Sequence, residues 1–472
     1  MKYVSTRGDA PVMSFEDVLL AGLARDGGLY VPESWPQLTQ AEIAGFAGQP
    51  FHDVATRVLM PFVGDAFTEA ELGSLARDAY SGFGHPAVTP LVQTDTDTFI
   101  LELFHGPTLA FKDVAMQLLA RMIDHVLDRR GERATIVGAT SGDTGGAAIE
   151  AFRGSTNVDV FILFPDGRVS DVQRRMMTTP TEASVHSISI NGTFDDCQAL
   201  VKGMFTHHAF RDRVRLSGVN SINWARIMAQ VTYYFVAGAA LGAPNRKLAF
   251  SVPTGNFGDI FAGYVAKRMG LPIERLIIAS NDNDILPRML ETGCYEMRDV
   301  MATTSPSMDI QISSNFERYL FEASGRNADD TRQKMMQLKQ AHRFDLGDLH
   351  ESTAADFAAA RATEAEVADT ITSLETSSGY TVEPHTACGV FAANKCGAML
   401  SPETARVVLA TAHPAKFPDA MESITGVHPG LPDRLSELMH LPERFDVVDN
   451  TPQAVETFIE ARTRAVRSKS SA

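Results

Sequence analysis

The sequence predicts an α/β protein built on parallel sheet. Short apolar runs, "ATIVGAT" (134–140), "VDVFILF" (158–164), "KLAFSVP" (247–253), "RLIIAS" (275–280) and "ARVVLAT" (405–411), recur along the chain. Helical stretches separate them, and Gly-rich turns, "SGDTGG" and "TGNFGD", lead from strand into helix. Apolar strands alternating with helices belong to parallel sheets covered on both faces.

At 472 residues the chain is too long for one ordinary core, so two or three domains are expected. With 44% hydrophobic and 21% charged residues it is globular in composition, and its net charge of -16 argues against a nucleic-acid partner. No basic run exceeds Asp128-Arg129-Arg130 or Arg174-Arg175, although a small anionic substrate needs only a few local donors. The four cysteines show no CxxC spacing and read as reduced thiols. No apolar h-region opens the chain and no run of eighteen apolar residues occurs, so a cytoplasmic protein without membrane spans is expected. The thirteen histidines form no HExxH, and the pair His207-His208 has no metal partner at useful spacing.

Residues 1–95 read as helix-rich. In "SFEDVLLAGLA" (14–24) Ser14 is the N-cap, with Glu16 and Asp17 in the first turn, and "DGGLYVPESWP" (26–36) is loop. "TFILELF" (98–104) is a strand. In the helix over 113–130, Val114, Leu118, Met122 and Val126 fall at four-residue steps beside Leu119, Ile123 and Leu127, with Gly131 as the stop. Further helices are expected from the "SGDTGG" turn through Phe152, over 223–242, and from about Asp259 to Gly270. The Ala- and Glu-rich stretch 353–376 predicts a solvent-exposed helix, and the tail "RSKSSA" frays. Asp195-Asp196 reads as a helix N-cap, Met176-Met177 as core, and Trp224 as a residue that lines the site or simply packs.

Three places carry chemistry. In "VPTGNFGDIF" a strand enters Thr254-Gly255-Asn256-Phe257-Gly258 and a helix begins near Asp259, so converging N–H groups and a helix N-terminus suit a phosphate. The turn is neither GxGxxG nor a Walker A, which leaves a monophosphate cofactor, or an ordinary tight turn. In "GATSGDTGG", Thr140, Ser141 and Thr144 supply hydroxyls, Gly142 and Gly145 close backbone approach, and Asp143 a carboxylate. Such a turn suits a substrate carboxylate or is a capping arrangement. Lys112, between Phe111 and Asp113 at a loop–helix junction, is either a snorkelling surface lysine or an amine made nucleophilic by desolvation. An amine, a hydroxyl-rich glycine turn and a separate phosphate turn in one chain suit a pyridoxal phosphate Schiff base.

The stretches "HGPTLAFKD", "ATSGDTG", "SINWARI", "VPTGNFGD", "SSNFERYLF" and "TAHPAKF" together resemble the threonine synthase family, of the longer bacterial and fungal type. That family is a fold-type-II pyridoxal phosphate group, that of the tryptophan synthase β subunit. The resemblance runs in order from "STRG" (5–8) and "DGGLYVPE" (26–33) to "TAHPAKF" (411–417). It implies two open α/β domains of parallel or mixed sheet with the cofactor cleft between them, plus the helix-rich N-terminal domain. The expected divisions are 1–95; 96–235, with Lys112 and the SGDTG turn and discontinuous in sequence; and 236–472, with the phosphate turn.

By the same resemblance Lys112 carries the cofactor as a Schiff base, and Gly255, Asn256, Phe257, Gly258 and Asp259 hold its phosphate. Thr411 faces the pyridine nitrogen, where a hydroxyl does not force protonation and so makes a milder electron sink. Asp143 touches the ring oxygen or the substrate carboxylate, and Thr140, Ser141 and Thr144 bind substrate. The implied reaction converts O-phospho-L-homoserine and water to L-threonine and phosphate, in a monomer or homodimer. Lys112 serves as base and acid, while Asn223, Arg226 and Lys416 are expected to grip the departing phosphate. A dehydratase of the same fold or a non-catalytic relative are the alternatives, and the retained Lys112 and phosphate turn speak against the latter. A dinucleotide-dependent dehydrogenase fails for lack of GxGxxG.

Overall fold

The computed structural model describes residues 1–140 and 142–466, so Ser141 and the tail expected to fray, 467–472, lie outside the described residues. Two sheets carry the α/β part. The larger has six strands in the order Phe357–Arg361, Ile273–Ser280, Leu248–Pro253, Ala405–Ala410, Thr98–Glu102 and Leu91–Gln93, antiparallel only at its last pair. The smaller is wholly parallel, in the order Asp446–Val448, Val185–Ile190, Val158–Pro165, Ala134–Ala139 and Leu216–Ser217.

Sheet membership departs from the expected divisions at three places. Leu91–Gln93, assigned to 1–95, is the antiparallel edge strand of the larger sheet. Thr98–Glu102, assigned to 96–235, pairs in register with Ala405–Ala410 and so belongs to the larger sheet. Asp446–Val448, assigned to 236–472, pairs with Val185–Ile190 in the smaller one. The reason is physical: an apolar run encodes burial on both faces, while its neighbours are chosen by packing against remote segments.

The N-terminal part is a three-stranded antiparallel sheet of Met13–Ser14, Lys2–Ser5 and Tyr30–Pro32 with helices Phe15–Ala21, Phe51–Val63 and Glu69–Tyr80. Ser14 caps the first helix, its Oγ accepting from Asp17 N at 3.3 Å. At the centre runs the apolar helix Trp224–Ala240, packed against Phe51–Val63, Lys112–Arg130 and Gly258–Arg268. A helix apolar all round has to be buried like this. Trp224, fully buried, donates Nε1–H to the Tyr3 hydroxyl at 3.1 Å, which makes it a packing residue.

The stretch 353–376 is not one exposed helix. Helix Leu349–Asp356 stops, Phe357–Arg361 pairs as an edge strand with Ile273–Ser280, and helix Glu364–Ser378 follows. Tertiary pairing there overrides the helix preference of Ala358-Ala359-Ala360. Thr193, rather than Asp195 or Asp196, caps its helix, and Asp196 completes the capping box. Met176 and Met177 are buried as expected. His207 pairs through Nδ1 with Glu456 at 2.8 Å, and among the described residues no cluster could hold a metal ion. No described helix is long and apolar enough to cross a membrane.

Candidate active site

Three neighbouring parallel strands of the larger sheet end at the same edge, and each releases one of the expected groups. Leu248–Pro253 runs into Thr254–Gly258, Ala405–Ala410 into Thr411, and Thr98–Glu102 into the loop that reaches Lys112. Ligands of open parallel sheets sit outside the carboxyl ends of the strands.

The loop to Lys112 is fastened strand-like to the loop after Thr411. Phe111 N donates to Thr411 O at 2.8 Å, and His413 N donates to Leu109 O at 3.0 Å, with Leu109 at φ 59°. Asp113 clamps the Gly106-Pro107-Thr108 turn by accepting from Thr108 N and Thr108 Oγ1, both at 2.7 Å. A Cβ on Gly106 would stand 2.3 Å from Asp113 Cβ, so only glycine fits that close approach. Burial pushes the Asp113 carboxyl up to about 6 against the pull of those hydrogen bonds.

Lys112 is thus the first residue of helix Lys112–Arg130, buried at 8% exposure rather than snorkelling. Its Nζ lies 3.2 Å from Asp143 Oδ2. Lys416 Nζ stands 2.6 Å from Asp143 Oδ1 and donates to Thr108 O at 2.8 Å. Burial lowers the Lys112 pKa, the positive charges of Lys416 and Arg226 push the same way, and Asp143 opposes them. Burial alone would raise the Asp143 carboxyl, but Lys112 and Lys416 hold it well below the usual carboxylate range.

In the "SGDTGG" turn, Thr140 is a capping residue. Its Oγ1 accepts from Gly142 N at 2.9 Å and from Gly145 N at 3.0 Å, so what the hydroxyl has left for a ligand is its own hydrogen. Thr144 is half-buried on the first turn of helix Asp143–Phe152, and Ser141 lies outside the described residues.

Arg226 is buried, and its Nη1 makes a long hydrogen bond to Val219 O at 3.3 Å. Its Nε has no partner and, among the described residues, no carboxylate pairs with it. Burial lowers its guanidinium to about 10. Asn223, expected beside it, is occupied by the fold. Its Oδ1 accepts from Ala225 N at 2.9 Å as the N-cap, and its Nδ2 donates to Leu19 O at 3.0 Å. The capping preference of Asn explains why it stands at the helix start.

The turn 254–258 fits a phosphate. Among the described residues, the N–H groups of Gly255, Asn256, Phe257 and Gly258 donate to no protein acceptor. Phe257 takes the left-handed conformation (φ 61°) with its ring buried against Phe316 and Phe357, so only its backbone faces the turn. A Cβ on Gly255 would come within 2.7 Å of Ser307 O. Asp259 does not offer its carboxylate there. It accepts from the Tyr233 hydroxyl, and from the Tyr234 hydroxyl at 3.0 Å, and burial raises it to about 6. An anion beside a phosphate would be repelled, so its side chain is better turned away. Thr411 is buried, its N donates to Thr386 Oγ1 at 3.3 Å, and its hydroxyl has no partner among the described residues. Unsatisfied amides, a buried amine and a free hydroxyl together suit pyridoxal phosphate.

Several residues were not singled out from sequence. Gln173 Nε2 donates to Asp143 Oδ1 at 2.9 Å, yet it sits in "DVQRRMM", which carries no local signal. Buried Glu383 receives Thr386 Oγ1 at 2.7 Å and pairs with His385 Nδ1 at 2.6 Å, steadying the residue behind Thr411. Glutamate before Pro384 at a helix start was the available sign.

Known proteins resemble the chain over nearly its whole length. Residues 83–411 match the family model of pyridoxal-phosphate dependent enzymes, 2–80 that of the threonine synthase N terminus, and 386–459 that of the threonine synthase C-terminal part. The chain is 50% identical over 461 residues to threonine synthase of Pseudomonas aeruginosa, covering 97% of this chain and 98% of the relative. It is 42% identical to threonine synthase of Saccharomyces cerevisiae, with 95% of each chain covered. The crystal structure of PLP-bound threonine synthase from Brucella melitensis superposes with a TM-score of 0.96 at 60% identity, covering 98% of this chain and 100% of that one. The yeast threonine synthase structure gives 0.93 at 40% identity, with 98% of each chain covered.

Proposed function

The chain belongs to the threonine synthase family of pyridoxal-phosphate-dependent enzymes, and from that premise we propose how its own residues divide the work. The enzyme converts O-phospho-L-homoserine and water to L-threonine and phosphate, a lyase reaction of threonine biosynthesis. When bound, pyridoxal phosphate supplies the electron sink that lets protons leave Cα and Cβ of the substrate.

Lys112 holds the cofactor and, once displaced by substrate, moves the protons, because burial leaves its amine readier to be neutral than an exposed lysine. Asp143 aims that amine and balances its charge, while Gln173 fixes the carboxylate. The backbone amides of 255–258 hold the cofactor phosphate, and the Thr411 hydroxyl meets the ring nitrogen as a neutral partner. The N-terminus of helix Asp143–Phe152, with Thr144, takes the substrate carboxylate.

Arg226 and Lys416 grip the departing phosphate. The observation that carries this is the buried guanidinium of Arg226, which among the described residues meets no carboxylate. Such a charge is costly unless an anion arrives to meet it. All these groups come from one chain, which suits a monomer or a homodimer, and the four free thiols suit a reducing, cytoplasmic setting.

The purified protein should absorb in the visible, and borohydride reduction followed by peptide mapping should place the pyridoxyl label on Lys112. A colourless protein, or a label on another lysine, would refute the assignment.

A further inference from the structure

Two stretches that carried the family resemblance, "STRG" and "SSNFERYLF", take no part in the chemistry above. The second lies against the turn 254–258, and the first is tied to the second through Glu317. Ser313 Oγ donates to Gly255 O at 2.6 Å. Asn315 donates to Asn256 O twice, from N at 3.0 Å and from Nδ2 at 2.9 Å. In a trans peptide the carbonyl and the following N–H point to opposite sides. Holding Gly255 O and Asn256 O from behind therefore turns the N–H groups of Asn256 and Phe257 away from 313–315, toward the open side of the turn.

Asn315 is itself oriented, because Arg318 Nη1 donates to its Oδ1, which leaves the amide nitrogen for Asn256 O. Arg318 is fully buried and, among the described residues, meets no carboxylate in an ion pair. Its other donors go to Tyr30 O at 3.0 Å and Ile222 O at 2.7 Å. Ile222 is four residues before Arg226, and Tyr30 is in the N-terminal sheet. Next to it Glu317 accepts from Thr6 Oγ1 at 2.6 Å and from Arg7 Nε and Nη2 at 3.0 and 2.9 Å, tying down "STRG". A planar fork with five donors reaches three segments at once, which a lysine cannot do. Burying such a group without an anion costs stability that an apolar side chain would not.

We propose that Asn315, oriented by Arg318, is a positioning residue for the phosphate cradle: it fixes the Asn256–Phe257 peptide plane so that the amides face the phosphate before any ligand arrives. The N-terminal strand Tyr30–Pro32 and the loop holding Ile222 are the anchors of that brace. Preorganised donors bind without a reorganisation cost, so the gain falls on the phosphate group and on nothing else. The proposal rests on the reading of 255–258 as the cofactor's phosphate site.

The test titrates full-length apoprotein, prepared by resolving the holoenzyme, with pyridoxal phosphate and with pyridoxal, following absorbance. In Asn315→Ala, affinity for pyridoxal phosphate should fall by about tenfold or more, as for loss of a well-made hydrogen bond, while affinity for pyridoxal stays within about twofold. Arg318→Lys should reproduce that selective loss, and the double variant should lose no more than Asn315→Ala alone, because the two act as one unit. Equal weakening of both ligands, or unchanged pyridoxal phosphate affinity, would overturn the proposal. If Arg318→Lys fails to fold, Asn315→Ala and Ser313→Ala decide the matter by the same ratio. Wild-type protein with no preference for pyridoxal phosphate over pyridoxal would instead overturn the phosphate site, and the brace with it.

Discussion

The ammonium of Lys416 stands 2.6 Å from the carboxylate of Asp143, and neither side chain is more than 7% exposed. That carboxylate is set between two buried amines, since its other oxygen faces Lys112. Its charge state therefore governs both the cofactor lysine and the lysine assigned to the departing phosphate.

Removing that charge should be expensive. Asp143→Asn leaves two buried amines uncompensated, and urea unfolding of the apoprotein should show a loss of about 3 kcal/mol. Lys416→Met in the same background should recover part of it, giving a coupling of about 1 kcal/mol or more in the double-mutant cycle. Additive losses would mean that the pair, though close, does not interact.

Arg226 should behave in the opposite way, stability and activity moving apart. Its buried Nε has no partner among the described residues, so Arg226→Met should leave the unfolding free energy unchanged or raise it by about 1 kcal/mol. The same substitution should lower kcat/KM by about 100-fold, because a charge-assisted grip on phosphate is gone. Arg226→Lys should fall between. Near-wild-type kinetics of the Met variant would remove Arg226 from the substrate site.

These contrasts mark what could be read in the sequence. The stripe of Val114, Leu118, Met122 and Val126 declares a helix, and the glycine turns after apolar strands declare where ligands go, because both signals are local. Asn223 and Arg226 look alike in sequence, two polar residues at the head of an apolar helix. Only the structure separates the N-cap, whose bonds are used, from the guanidinium, whose Nε has no partner among the described residues. Gln173 and the edge strand Phe357–Arg361 were illegible for a related reason. Their roles come from partners far along the chain, Asp143 and Ile273–Ser280, and no local pattern encodes a distant partner.

The phosphate turn makes a steric prediction. A methyl at position 255 would meet a backbone oxygen, Ser307 O, at 2.7 Å, and Ser307 N is held by His385 Nε2 at 3.1 Å. Neither side yields cheaply, so Gly255→Ala should displace the turn. Affinity for pyridoxal phosphate should fall by about tenfold or more, with about 1–3 kcal/mol of stability lost. Unchanged affinity by equilibrium dialysis would show that the turn tolerates the shift.

Asp259 gives stability a measurable slope with pH. Burial raises its carboxyl to about 6, although the hydroxyls of Tyr233 and Tyr234 pull it down. In the unfolded chain an aspartate titrates near 3.9. A folded pKa above the unfolded one means that the native state binds the proton first. The contribution is therefore fully present below about 4 and lost as pH rises through about 6. Between pH 7 and pH 5 this group alone should add about 1 kcal/mol to folding. Asp113, also raised to about 6, adds a slope of the same sign, so the wild type by itself cannot isolate either one. Asp259→Asn keeps an acceptor for the tyrosines and removes the titration. Urea unfolding at both pH values should thus show wild type gaining about 1 kcal/mol more than Asp259→Asn on acidification. If the two proteins shift in parallel, Asp259 is already ionised throughout this range and its burial costs less than its surroundings imply.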